Sequence, residues 1–163
     1  MEPVLELRDV PLDHPDARML VESALAFYVE LYGGEDGGDM DATHPEDFAA
    51  PNGLFVVGYR DGEPVAAGGW RRRDDLTRLG TARLAEIKRM YVVDRLRGQG
   101  LSRAVLAHLE ATARAAGHEA LVLSTGAPQV AAVGLYHAAG YELVEPFGPY
   151  AAYANCRCFA KRL

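Results

Sequence analysis

No run of about 18 apolar residues interrupts this chain, so nothing in it has the length of a membrane-spanning helix. The opening residues MEPVLELRDV lack the basic-then-apolar order of an export signal, and a cytoplasmic protein is expected. Cysteine is scarce, with only Cys156 and Cys158. Two apart on a strand, they would point the same way without the geometry of a disulfide. Two thiols alone also make a poor metal site, so two half-buried strand residues and no metal are expected. A basic excess is lacking as well. The formal charge is −6, whereas a nucleic-acid binder usually shows a basic face, so nucleic acid is not an expected partner, as a membrane is not for want of an apolar span, and a cationic substrate suits the balance better. The basic cluster WRRR (Trp70 to Arg73) runs directly into Asp74 and Asp75 and reads as a solvated strand end. Repeats and low-complexity linkers are missing too.

What is present is the material of one domain spanning residues 1–163: 163 residues, 49% of them hydrophobic, enough for a core of its own. Apolar alternation in VLELRDV (Val4 to Val10) predicts a first strand. A helix follows, with Met19, Leu20, Ala24, Phe27 and Leu31 at helical spacing, Pro15 near its start and Gly33 past its end. The polar, Gly-rich stretch from Gly34 to Phe48 reads as a loop or a short irregular helix, either facing substrate or merely connecting. Two strand-like runs then meet at Asp61-Gly62, the dipeptide of a tight hairpin. A strand is expected from Ala85 to Val93 and a helix from about Gly100 to Ala116, where Leu101, Val105, Leu109 and Ala113 form an apolar stripe. A strand (Glu119 to Thr125), a helix across PQVAAVGLYHAAG and two final strands complete an α/β (α+β) pattern: a mixed sheet of about seven strands with helices on its faces.

Between the strand ending near Val93 and the helix lies RLRGQG, Arg95 to Gly100. At a helix N-terminus several backbone amides have no intrahelical partner and the helix dipole adds partial positive charge, so an anion is welcome there. Glycine at 98 and 100 removes side chains that would hold a phosphate away and permits unusual backbone angles. The stretch is a candidate pyrophosphate cradle, with a plain tight turn as the alternative. It is not a dinucleotide fingerprint, because Arg103 stands where the third glycine belongs, and a Walker P-loop is absent.

The stretch Arg95-Leu96-Arg97-Gly98-Gln99-Gly100 resembles the Arg/Gln-x-x-Gly-x-Gly/Ala signature of the GNAT superfamily of acyl-CoA-dependent N-acyltransferases. Downstream, Gln129, Ala132, Leu135, Tyr136, Gly140 and Tyr141 fall where that family's second block carries Asn-x-x-Ala-x-x-Leu/Phe-Tyr-x-x-x-Gly-Phe/Tyr, with Gln129 in place of the usual Asn. The resemblance implies a mostly antiparallel sheet splayed between its fourth and fifth strands. In that gap the pantetheine arm of acetyl-CoA would bond to the backbone of Met90 and Val92. The pyrophosphate would rest on amides from Arg97 through Gly98, Gln99, Gly100 and Leu101 to Ser102, with charge added by Arg95 and Arg97. The acceptor would be an amine of a small molecule or peptide, and a homodimer is compatible with the pattern.

Two catalytic candidates follow from the same resemblance. Tyr136 stands where the family often has a tyrosine near the thioester sulfur, and a phenol of pKa about 10 can give a proton to a departing thiolate; core packing is its alternative role. Glu86 occupies the position of a general base in the histone acetyltransferase branch. An ammonium must lose a proton before it attacks, and burial at a strand end would make a carboxylate a better acceptor of it. The alternative is a surface carboxylate paired with Lys88. His44, His108, His118 and His137 are weaker candidates, more often surface residues. The function implied is an N-acetyltransferase acting by direct attack, without metal or covalent enzyme intermediate; a non-catalytic acyl-CoA sensor is the other reading. Acidic residues Glu35, Asp36, Asp39 and Asp41 would suit a cationic acceptor, or simply solubility.

Overall fold

Alternate residues of one strand, Gly53–Arg60, are divided between two cores: Val56 packs into one, while Phe55, Val57 and Tyr59 pack into the other. That division reflects the two-residue period of a strand covered on both faces. The computed structural model describes residues 4–33 and 43–163. Among them the order is β1 (Glu6–Asp9), α1 (Pro15–Tyr32), β2 (Gly53–Arg60), β3 (Glu63–Arg73), β4 (Leu84–Val92), α2 (Leu101–Ala115), β5 (Ala120–Gly126), α3 (Val130–Ala138), β6 (Glu142–Val144) and β7 (Cys156–Arg162). The strands lie side by side as β1-β2-β3-β4-β5-β7-β6, every neighbouring pair antiparallel except β4 with β5. This is the mixed, mostly antiparallel seven-stranded sheet expected from the sequence.

Helix α1 starts at Pro15, behind a His14 ring nitrogen that accepts from the Asp16 amide at 3.1 Å, and ends at Gly33, whose φ of 85° closes it in the left-handed region. Its buried stripe runs through Ala17, Leu20 and Ala24 and packs on the face carrying Phe55 and Val57. Met19, expected in that stripe, is 46% exposed. It lies about 100° around the helix from Leu20, outside the buried arc.

Helix α2 covers the opposite face. Leu101, Val105, Leu106, Leu109 and Ala113 are all buried there, together with Val56, Trp70, Ile87 and, from α3, Tyr136. Each fully buried leucine contributes about 1.5–3 kcal/mol of transfer free energy, so this stripe anchors the helix whose first turn follows the glycines. A third apolar cluster of Leu84, Val122, Phe147, Cys156 and Cys158 lies under the segment joining β6 to β7. The two cysteines are fully buried there, not half-buried, with sulfurs 3.8 Å apart and both thiols free.

The Asp61-Gly62 hairpin forms as expected: both residues have positive φ, 53° and 78°, the geometry that matches strand twist in a two-residue turn. Among the described residues no helix is long and apolar enough to cross a membrane.

Candidate functional site

Strand β4 is bent by a bulge. The register against β3 shifts between Ala67 and Gly69, so Arg89 and Met90 together oppose Gly68, and Arg89 takes a φ of 62°. Met90 fills the space a side chain at Gly68 would need: a Cβ there would lie 2.6 Å from Met90 Sδ and 3.0 Å from Val105 Cγ1. Glycine at 68 is therefore a packing requirement. On its other edge β4 pairs with β5 only at Leu84, Ala85 and Glu86, opposite Ala120, Leu121 and Val122. Beyond Glu86 and Val122 the strands part. Met90 and Val92 stand in the parted segment of β4, while β5 from Leu123 to Gly126 is paired only with β7. Thr125 Oγ1 is buried on this stretch with no hydrogen-bond partner among the described residues, a polar atom left for something that enters the gap.

The gap leads to RLRGQG. A short 3-10 turn, Asp94–Leu96, is followed by Gly98 and Gly100 at φ of 80° and 83°. Both glycines are required by backbone conformation and neither by crowding, since a Cβ at either position would meet no atom within 4 Å. The open side of the loop is thus available to a ligand. Gly100 caps α2 without a side-chain hydrogen bond and no acidic residue lies in the first turn, so the amides of Leu101 and Ser102 keep their appetite for an anion. These features fit the diphosphate of an acyl-CoA. The arginines of the stretch are engaged otherwise. Arg95 donates to Glu63 Oε2 at 2.8 Å, while Arg97 turns inward, its Nε donating to the Val92 carbonyl at 3.3 Å and its guanidinium 4.4 Å from the Phe27 ring centre.

Glu86 sits where the sheet opens, as the last residue of β4 paired with β5, and is only 2% exposed. It is no surface carboxylate. Its Oε1 accepts from Arg71 Nε at 3.0 Å and from Arg73 Nη1 at 2.8 Å, and Arg73 also holds Asp75 at 2.8 Å. The arginine pair of a strand end expected to be solvated is in fact largely buried, with side chains 12% and 15% exposed. Residues 71, 73 and 86 share one face of the sheet, which sequence order alone conceals. Arg72, on the alternate face, does behave as expected, pairing in the open with Asp74. The Arg73 guanidinium also lies 5.5 Å from the Phe147 ring centre, tying β3 to the segment before β7.

Tyr136 faces the core side of α3, 4% exposed, with its ring edge-on to Tyr141 at 5.5 Å. Burial pushes its phenol pKa well up, and the neighbouring Tyr28 phenol adds to the shift. Tyr28 is raised by burial as well, with the Arg89 guanidinium opposing, so Tyr28 of α1, Arg89 of the bulge and Tyr136 of α3 are electrostatic neighbours. Gln129, which departs from the family's Asn, donates from Nε2 to the Tyr32 hydroxyl at 2.9 Å. That hydroxyl lies against Gly126, where a Cβ would collide with it. Gln129 thus joins the start of α3 to α1 across the end of β5.

The histidines lie elsewhere. His108 Nε2 is 2.8 Å from Asp9 Oδ1, His118 is edge-on to Trp70 at 5.0 Å, and His137 is edge-on to Phe159 at 5.1 Å. Glu35, Asp36, Asp39 and Asp41 lie outside the described residues. Sequence reasoning missed the β4 bulge, the arginines on Glu86 and the Gln129 link. An arginine at positive φ has no local signature, and the other two are contacts between distant segments.

The model of the acetyltransferase (GNAT) family matches residues 18–141. An IAA acetyltransferase of Azospirillum brasilense is 33% identical over 131 residues, 80% of this chain and 80% of that protein. Among solved structures, a Klebsiella pneumoniae protein assigned as an acyl-CoA N-acyltransferase is 25% identical, with a TM-score of 0.77 over 98% of both chains. An assigned acetyltransferase of Salmonella typhimurium, solved with acetyl-CoA as its cofactor, shares the fold at 16% identity, with a TM-score of 0.69 over 98% of this chain and 94% of that one.

Proposed function

The chain belongs to the GNAT family of acetyltransferases, and from that premise we propose that it transfers an acetyl group from acetyl-CoA to an amine of a small molecule or peptide by direct attack. The observation that carries the reading is the opening between β4 and β5 leading to a loop with two left-handed glycines at the uncapped start of α2. Acetyl-CoA supplies an activated acyl carbon and a thiolate leaving group. The amides of Gly98 to Ser102 would bind its diphosphate, with Arg97 contributing its backbone, and the backbone of Met90 and Val92 would orient the pantetheine arm. Tyr136, kept protonated by burial although made a weaker acid by it, would protonate the sulfur as the thiolate departs. Glu86, at the point where the strands separate, would accept the ammonium proton, directly or through water.

One observation favours a second reading, an acyl-CoA sensor without turnover: two guanidiniums already occupy Oε1 of the candidate base. Incubating the protein with acetyl-CoA and a panel of amines, and reading free CoA thiol, separates the two. Amine-dependent thiol release establishes the transferase; CoA binding with no release from any amine leaves the sensor.

A further inference from the structure

The tip of the β2-β3 hairpin touches RLRGQG at two points. Arg60, the last residue of β2, donates from Nη1 to Gln99 Oε1 at 2.9 Å. Glu63, its cross-strand partner and the first residue of β3, accepts from Arg95 Nη2 at 2.8 Å. The two links grip opposite ends of the six-residue stretch, one before the glycines and one between them. Arg60 Nε is buried with no hydrogen-bond partner among the described residues. A sealed, unsatisfied donor opposes stability, which argues that the arginine is kept for what its guanidinium reaches.

We propose that Arg60 is a positioning residue for the diphosphate cradle, acting through Gln99, with the Glu63 and Arg95 pair as the second jaw of the same clamp. This inference rests on the acyl-CoA reading above. The physical need is clear from the loop itself. Gly98 and Gly100 have open space around them and glycine's wide choice of backbone angles, and the loop's own backbone bonds hold its ends, Arg97 N–H donating to the Asp94 carbonyl and Ala104 N–H to the Gly100 carbonyl, rather than the segment between them. A ligand would have to order them at a cost to its affinity, unless a contact from outside has ordered them already. The Asp61-Gly62 turn, closed by the Arg60 and Glu63 strand pair, is the element that makes such contacts. The Glu63 and Arg95 pair is exposed and weak alone. Arg60, with its stem partly enclosed, is the stronger jaw.

The test is calorimetric titration of CoA into the wild-type protein, Arg60→Met, Gln99→Met and the double variant, with the KM of the acceptor measured alongside. Arg60→Met should weaken CoA binding by about 10-fold, within the range of one charged hydrogen bond, and leave the acceptor KM unchanged. Gln99→Met should do the same, and the double variant should be no worse than the weaker single. Gln99 is exposed, so its variant serves even if Arg60→Met fails to fold. Unchanged CoA affinity in folded Arg60→Met or in Gln99→Met overturns the proposal. Additive losses also overturn it, because they would put Arg60 on the ligand directly. A wild-type protein that binds no CoA would instead overturn the acyl-CoA reading itself.

Discussion

Arg73 donates to Glu86 Oε1 at 2.8 Å from within the same sheet face, and Arg71 meets the same oxygen from 3.0 Å. The candidate base is therefore also the counter-ion of two largely buried cations. Glu86→Gln should destabilise the fold by about 3 kcal/mol, the low end of what breaking a buried pair costs, measured by denaturant unfolding. Activity must then be compared well below the unfolding midpoint. If Glu86 takes the ammonium proton, the rising limb of the pH-rate profile flattens in the variant. A limb that persists, and moves with the basicity of two different acceptors, assigns the proton to water and leaves Glu86 a structural anion.

Gly100→Glu should abolish CoA binding while the protein stays folded. The left-handed angle of 83° costs a non-glycine residue about 1–2 kcal/mol, and the new carboxylate would stand where the diphosphate is proposed to lie. Gly100→Ala separates the two effects, since its methyl group meets no protein atom. It should keep much more CoA affinity than the glutamate variant. Equal, undiminished binding in both would remove the diphosphate from this loop.

Tyr136→Phe keeps the ring against Tyr141 and Phe159 and removes only the hydroxyl. Turnover should fall by about 100- to 10,000-fold, the span of a lost general acid, with little change in melting temperature. Wild-type turnover in single-turnover measurements would make Tyr136 a core residue alone.

The hairpin and the glycine loop were legible in the sequence because their cause is local. Asp61, Gly62, Gly98 and Gly100 sit at positive φ, and a chain spells that need with glycine and its short polar neighbours. The α2 stripe was legible for the same reason, its period lying within one helix. The cluster around Glu86 was not. Arg71 and Arg73 looked solvated because their partner lies 13 to 15 residues downstream, on the adjacent strand in matching register. Arg89 at a φ of 62° was hidden because tertiary packing, with Gly68 making room for Met90, imposes the bulge on an unremarkable strand.

Burial depresses the His118 pKa below the ordinary value of about 6.5. The unfolded chain then binds more protons than the folded one in that window, so His118's contribution to stability is complete above about pH 6.5 and is lost as pH falls through its lower folded value. His118→Gln should remove that part of the acid limb. Trp70, the chain's single tryptophan, is the ring next to it, so its emission should titrate below pH 6.5 in the wild type and stay flat in the variant. A wild-type emission midpoint at or above pH 6.5 would contradict the shift.

The three residue pairs joining β4 to β5 have a consequence for how the chain assembles. Strands β2, β3 and β4 follow one another as antiparallel neighbours, so this half of the sheet is built from contacts close in sequence. The other half joins it across the whole of α2, at a junction too short to direct its own pairing. Helix α2, with leucines buried against residues from both halves, serves as the splint that aligns them. The opening through which a ligand would pass is thus a seam between two half-sheets that one helix holds in line.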